Sequence, residues 1–354
     1  MSVLPPVLIL DGGLGTTLVD QFGFNHDNSN SLWSSQLLLS TSGMETLKQC
    51  HSAFVDAGAD LVTTATYQVS MREIIRVLAE TAEIKEIEVK YDAEQGNRDT
   101  ESAQAKNSLC CKSEKNINYQ VSMAKTYMRN AIHLVRTSFG EGKGKVVLGF
   151  GAAGACLKPS QEYTGNYSGS EVGTSVKSIR GWHLERICVF TNEEMGSMLG
   201  PFSGSCWSEV DLVAFETIPL LQEIVAIREA MSQVHDELER VVKSASRKDF
   251  WISCVFPGDS FCLPDGSPII EVIRAMLGKR DYTHTPIAVG INCTRLGKLE
   301  PLIEKYEAAI NEMILNQEIE NWPGLVVYPD RTNGEVYNTQ TRQWEVKQGL
   351  GSYS

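Results

Sequence analysis

Short apolar runs recur along the chain, each ending in small or polar residues and each followed by a segment whose apolar positions return every three to four residues. This alternation is the βα rhythm of a parallel sheet covered by helices. Seven runs fit buried strands, at 7–10, 60–66, 145–150, 211–215, 249–255, 286–291 and 324–328. Helical patterns lie between them at 44–57, 119–138, 174–191, 219–234, 268–277 and 296–316. Ser42 is placed to open the first of these and Gly58 to close it, glycine being the residue that enters the left-handed region cheaply. Seven alternating units predict an α/β fold, a TIM (β/α)8-type barrel forming one domain over 1–354, with the eighth βα unit missing. The last stretch, TNGEVYNTQTRQWEVKQGLGSYS, has turn signals and alternating polar residues but no apolar run suited to an eighth buried strand. Two segments break the rhythm. Residues 80–118 are polar and rich in Ser and Asn, expected as a helical extension followed by a mobile loop, and 199–209 (LGPFSGSCWSE) is expected as a short surface insertion.

Charge narrows the range of partners. Lys and Arg number 32 against 44 Asp and Glu, a formal net charge of −12, which repels nucleic acid and anionic membrane surfaces and favours a small-molecule ligand. No run of about 18 apolar residues suggests a membrane span, and the N-terminus lacks the basic region of a signal peptide. Nine cysteines, an odd number without an export signal, favour reduced thiols and a cytoplasmic location, and make each cysteine a metal or catalytic candidate.

In parallel α/β folds ligands bind beyond the carboxyl ends of the strands. There the chain reads Asp11-Gly12-Gly13 after the first run, Glu216-Thr217 after the fourth and Asn292-Cys293-Thr294 after the sixth. Two carboxylates suit an ammonium, glycine amides suit a carboxylate, and a thiol suits a metal or a nucleophilic role, so a small zwitterion is a candidate ligand. Each residue also has a plainer reading: Asp11 as a turn residue, Glu216 as a solvated strand end, Cys293 as a small buried hydrophobe. GFGAAG at 149–154 matches a dinucleotide fingerprint in letters only, because Pro159 and two further glycines follow where a helix would have to open. Cys110-Cys111 falls in the polar insertion, and no Cys/His spacing of a structural zinc site is present.

Six blocks taken in order, ILDGGLGTTL (9–18), DLVTTATYQVS (60–70), EYTGNY (162–167), DLVAFETIP (211–219), GINC (290–293) and VVYPDRTNGEVYN (326–338), resemble the homocysteine S-methyltransferase family. The match is nearest the branch that uses S-methylmethionine or S-adenosylmethionine as methyl donor. The resemblance implies a (β/α)8 barrel in which three cysteines hold Zn2+ and homocysteine sulfur is the fourth ligand. A sulfonium donor then methylates that sulfur to give methionine. It assigns Cys293 to the zinc, Asp11 and Glu216 to the amino group of homocysteine, and Gly12 and Gly13 to the turn lining the amino-acid pocket. Thr66, Tyr67 and 163–167 fall on the pocket wall. The other two family ligands are adjacent cysteines of a GGCC motif ending the eighth strand. The sequence reaches GLGSYS without that motif, so a C-terminally truncated enzyme is the expectation. The alternatives are a catalytically inactive homologue that binds amino acid or a partner subunit without zinc, and, more remotely, a nicotinamide oxidoreductase using GFGAAG. Oligomeric state is not legible.

Overall fold

The computed structural model describes residues 7–24, 32–80, 105–140, 142, 144–191, 206–241, 247–281, 283–330, 335–338 and 343–346. Six parallel strands form one sheet in sequence order: β1 Leu61–Thr63, β2 Lys145–Gly151, β3 Leu212–Ile218, β4 Asp249–Cys254, β5 Ala288–Arg295 and β6 Gly324–Asp330. Helices cross between them in the βα manner, and among the described residues the sheet is a half-barrel whose edge strands, β1 and β6, do not pair with each other.

Of the seven expected strands the first, 7–10, does not form. Its contribution is one parallel bridge, Leu10 to Leu61, supported by Asp11 N–H donating to Leu61 O at 2.9 Å. Nothing described packs on its outer side, and Val7 is 90% exposed. At the opposite edge β6 pairs only with β5, and its Leu325 is exposed. The tail contributes an antiparallel hairpin, β7 Glu335–Asn338 with β8 Gln343–Val346, separate from the main sheet.

Strand alternation fixes what faces the barrel interior. Leu61, Val147, Ala214, Trp251 and Ala288 cluster as one inward layer, with Val326 against it. Val146, Leu148, Phe150, Val213, Phe215, Phe250 and Ile252 face outward into the core shared with the helices. Two residues further along, the inward positions become Gly149, Glu216, Ser253, Gly290 and Tyr328, at the height where the strands end. The change from apolar to polar along one face marks the mouth.

Several helix boundaries differ from those expected. A helix at Leu14–Phe22 follows the DGG turn, and another at Met71–Glu80 follows β1. The helix before β2 spans Ala105–Ser138, starting within the segment expected to be a loop; the rest of that expectation, 81–104, lies outside the described residues. Helix Thr41–Asp56 is capped by Ser40 rather than Ser42, its hydroxyl accepting from Gly43 N–H at 3.1 Å. Of the expected surface insertion 199–209, residues 199–205 lie outside the described set, and Cys206–Glu209 is a short helix that buries Trp207. Among the described residues no helix is long and apolar enough to cross a membrane.

Candidate active site at the mouth of the half-barrel

Asp11 reaches the mouth from the segment before the Leu14–Phe22 helix. Its Oδ2 accepts from both Thr63 N–H and Thr63 Oγ1, each at 2.8 Å, which ties it to the end of β1. Gly12 and Gly13 lead into the helix and are held close: a Cβ on Gly12 would lie 2.9 Å from the Phe54 ring, and one on Gly13 2.7 Å from Thr16 Oγ1. The first backbone N–H groups of that helix have no intrahelical partners, and no side chain caps them.

Glu216 projects inward from β3. Gly149 on β2 makes room for it, since a Cβ there would sit 3.3 Å from Glu216 Oε2. Across the half-barrel, the Tyr328 hydroxyl of β6 hydrogen-bonds the Glu216 carboxylate and also accepts from Trp251 Nε1 at 3.4 Å. Burial raises the Glu216 pKa to about 7. Burial raises Asp11 to about 8 against the opposing Thr63 hydrogen bonds, and the nearby Glu216 charge adds to the rise. Asp330, at the end of β6, is raised by burial to about 6. The mouth gathers three carboxyl groups, and among the described residues no lysine or arginine contributes to their shifts.

Cys293 lies where β5 shifts register against β6, with φ +47°, and Thr217 lies at a matching irregularity of β3 with φ +60°. Both are side-chain-bearing residues in the left-handed region, which costs of order 1–3 kcal/mol and recurs at functional sites. The Cys293 sulfur accepts from Asn292 Nδ2 at 3.2 Å and Thr217 Oγ1 at 3.4 Å, and hydrogen-bonds Tyr163. Burial, followed by the Asp330 charge, pushes its thiol up to about 12.

The pocket-wall candidates separate. Tyr67 is half-buried, its ring against Gly151, and it hydrogen-bonds Thr217. Thr66 is fully buried beneath it, with Oγ1 donating to Gly149 O at 2.6 Å, so it straps β1 to β2 and leaves the mouth to Tyr67. Tyr163 reaches Cys293, whereas Tyr167 turns away to donate to Glu223 Oε2 at 2.6 Å. After GFGAAG the chain makes a four-residue 3-10 turn, Ala153–Cys156, so no helix N-terminus stands there to receive a pyrophosphate. Tyr328 and Asp330 were not identified from sequence as site residues. Their signals were position, at the end of the last apolar run, and membership of the block VVYPDRTNGEVYN.

The homocysteine S-methyltransferase family model matches residues 8–350. The chain belongs to that family. It is thereby placed among methyltransferases, and its curated relatives agree. It is 26% identical over 340 residues to homocysteine S-methyltransferase YbgG of Bacillus subtilis, covering 96% of this chain and 81% of that protein. It is likewise 26% identical over 343 residues to homocysteine S-methyltransferase 1 of Arabidopsis thaliana, covering 97% and 81%. At 24% over 344 residues it is similar to betaine-homocysteine S-methyltransferase of Drosophila melanogaster, covering 96% and 82%. In fold it is similar to the metallated form of the homocysteine methyltransferase MmuM of Escherichia coli, with TM-score 0.54, 20% identity and 93% of each chain covered.

A family-type zinc centre needs three protein ligands and one open position. Among the described residues no group of three or more His, Cys, Asp or Glu is arranged to hold a metal, and Cys293 is the one thiol whose shift involves Asp330 and Glu216 together. Cys110 and Cys111 lie on the Ala105–Ser138 helix, and their side chains are outside the described set. The residues in view do not fit a three-thiolate zinc site, so no reaction step is assigned to the metal here.

Proposed function

We propose that the chain binds homocysteine in this mouth and that the family's methyl transfer to its sulfur is the reaction the pocket serves, with S-methylmethionine or S-adenosylmethionine as donor. The observation that carries this reading is the pair Asp11 and Glu216, two carboxylates converging beside Cys293 with pKa values raised to about 8 and about 7. An ammonium between them supplies a countercharge and returns both to the ionised state. The amides after Gly12 and Gly13, at the positive end of the Leu14–Phe22 helix, suit the amino-acid carboxylate. The thiol then points toward Cys293.

In the transfer the donor S–CH3 bond breaks as the homocysteine S–CH3 bond forms. The donor leaves as a neutral thioether, and the thiol proton passes to solvent. The work left to the protein is orientation and exclusion of water. A cationic donor matches the mouth: Asp330 is acidic, Tyr67 and Tyr163 present rings suited to a sulfonium, and a cation is favoured over an aromatic face.

Zinc is the metal that family resemblance suggests, with Cys293 its one ligand in view. In a second reading the chain binds the amino acid without turning it over; among the described residues no group of three or more His, Cys, Asp or Glu is arranged to hold a metal. Methionine formation from homocysteine with each sulfonium, measured alongside zinc content, separates the two. Turnover with about one zinc per chain supports the enzyme, completed by ligands outside the described residues; homocysteine binding with neither zinc nor methionine supports the silent binder. Absence of homocysteine binding contradicts both.

A further inference from the structure

Glu216 and Cys293 stand on strands that are not neighbours, β3 and β5, with β4 between them. A substrate that touches both needs those strand ends held at a fixed separation. The Asn292 side chain spans the gap. Asn292, 1% exposed, accepts Thr217 N–H on its Oδ1 at 2.8 Å and donates from Nδ2 to Thr217 Oγ1 at 2.7 Å and to Cys293 Sγ at 3.2 Å.

The assignment of these bonds is forced by chemistry. Thr217 N–H can only donate, so the amide oxygen must face it, and both amide hydrogens are then directed at Thr217 Oγ1 and Cys293 Sγ. Thr217 Oγ1 accepts one of them, hydrogen-bonds Tyr67, and lies 3.4 Å from Cys293 Sγ, within reach to donate to it. The ring closes. Asn292 has no spare donor, and the two residues it grips are those whose backbones occupy the left-handed region, Thr217 at φ +60° and Cys293 at φ +47°. Neither conformation is one these residues adopt unaided. Thr217 follows Glu216 directly, so fixing its backbone sets the direction in which the Glu216 carboxylate leaves the strand.

We propose that Asn292 is a positioning residue that sets the Cys293 sulfur and the Glu216 carboxylate relative to one another. It touches no substrate and acts through Thr217 and Cys293. The inference builds on the proposed amino-acid pocket, but its primary test needs no ligand.

The test is the rate of iodoacetamide modification at each cysteine, read by peptide mass mapping at one fixed pH in the full chain, for wild type, Asn292→Ala and Thr217→Val. Cys50 and Cys254, both fully buried, serve as internal reporters of general loosening, Cys254 from the strand between the two ends. Loss of these donors to the sulfur should change the modification rate at Cys293 about fivefold in Asn292→Ala and in the same direction in Thr217→Val, with Cys50 and Cys254 still protected. A Cys293 rate within about twofold of wild type in both variants, or a change that Cys50 and Cys254 share, would overturn the proposal, since a merely structural residue gives one of those patterns. Calorimetry with L-homocysteine adds a separate arm: binding should weaken about tenfold in Asn292→Ala. Wild-type protein that binds no homocysteine defeats the proposed function and leaves the modification rates to judge Asn292.

Discussion

A carboxyl group recessed in protein keeps its proton to higher pH, and Asp11 and Glu216 are both in that position. With pKa values raised to about 8 and about 7, both are largely protonated at pH 6, and an arriving ammonium must displace those protons. The sign follows from linkage: proton release on binding means affinity rises with pH. Homocysteine affinity should therefore increase about tenfold or more between pH 6 and pH 8. Calorimetry in buffers of different ionisation enthalpy would show the proton release directly. A flat profile would mean the ammonium sits elsewhere. The same pair destabilises the empty chain as pH rises: the folded state binds protons more tightly than the unfolded one, so stability is greatest below about pH 4 for these two groups and declines through pH 7 to 8. Glu216 was legible in the sequence because it ends the run VAFE, in phase with Ala214 on the inward face. Tyr328 was not, because its hydrogen bond to Glu216 crosses the interior from β6 to β3, a pairing that no local pattern encodes.

At the scale of elements, the loop after β1 and the end of β2 are held by one buried cation. Arg186, 2% exposed on helix Val176–Thr191, donates to the carbonyls of Val69, Gly151, Thr66 and Tyr67, and its guanidinium lies over the Phe150 ring. Arg186→Met leaves those carbonyls unpaired in the interior and should cost about 3 kcal/mol, measured by urea unfolding, while freeing Tyr67 from the mouth. A loss under about 0.5 kcal/mol would show that solvent replaces the clamp. The strands from β2 to β6 were legible because a parallel strand covered on both faces is continuously apolar, as KVVLGF and DFWISC are. The 7–10 run is equally apolar and makes only a bridge to β1, so apolar composition alone does not decide whether a run extends into a ladder. The Leu14–Phe22 helix was hidden by glycines that read as a turn. The N-terminal half of Ala105–Ser138 was hidden by a polar composition with no apolar stripe.

For the whole molecule, the described half-barrel ends in two unpaired edges that carry apolar side chains: Val7, Leu8 and Ile9 at one, Leu325 at the other. Exposed strand edges of this kind template association with further strands. Light scattering on the 354-residue chain should show self-association at roughly tens of micromolar, despite the net charge of −12. Leu325→Lys, which places a charge on the β6 edge, should reduce it. A chain that stays monomeric at those concentrations would show the edges to be covered by residues outside the described set. The α/β class with its parallel sheet was legible from the βα rhythm, whereas the expected count of seven strands was not met, six forming the sheet among the described residues. The closing geometry of the mouth was not, since it depends on register shifts at the ends of β3 and β5.

The claim on which the rest depends is that Asp11 and Glu216 together hold an amino acid's ammonium. The most direct measurement is calorimetric binding of L-homocysteine at pH 8 to wild type, Glu216→Gln and Asp11→Asn, with melting temperature recorded for each. The account predicts saturable binding to wild type, weakened about tenfold or more by either substitution, in chains that melt no lower than wild type because a carboxyl whose ionised form burial disfavours has been replaced by a neutral amide of the same shape. Equal affinity in all three proteins would contradict it.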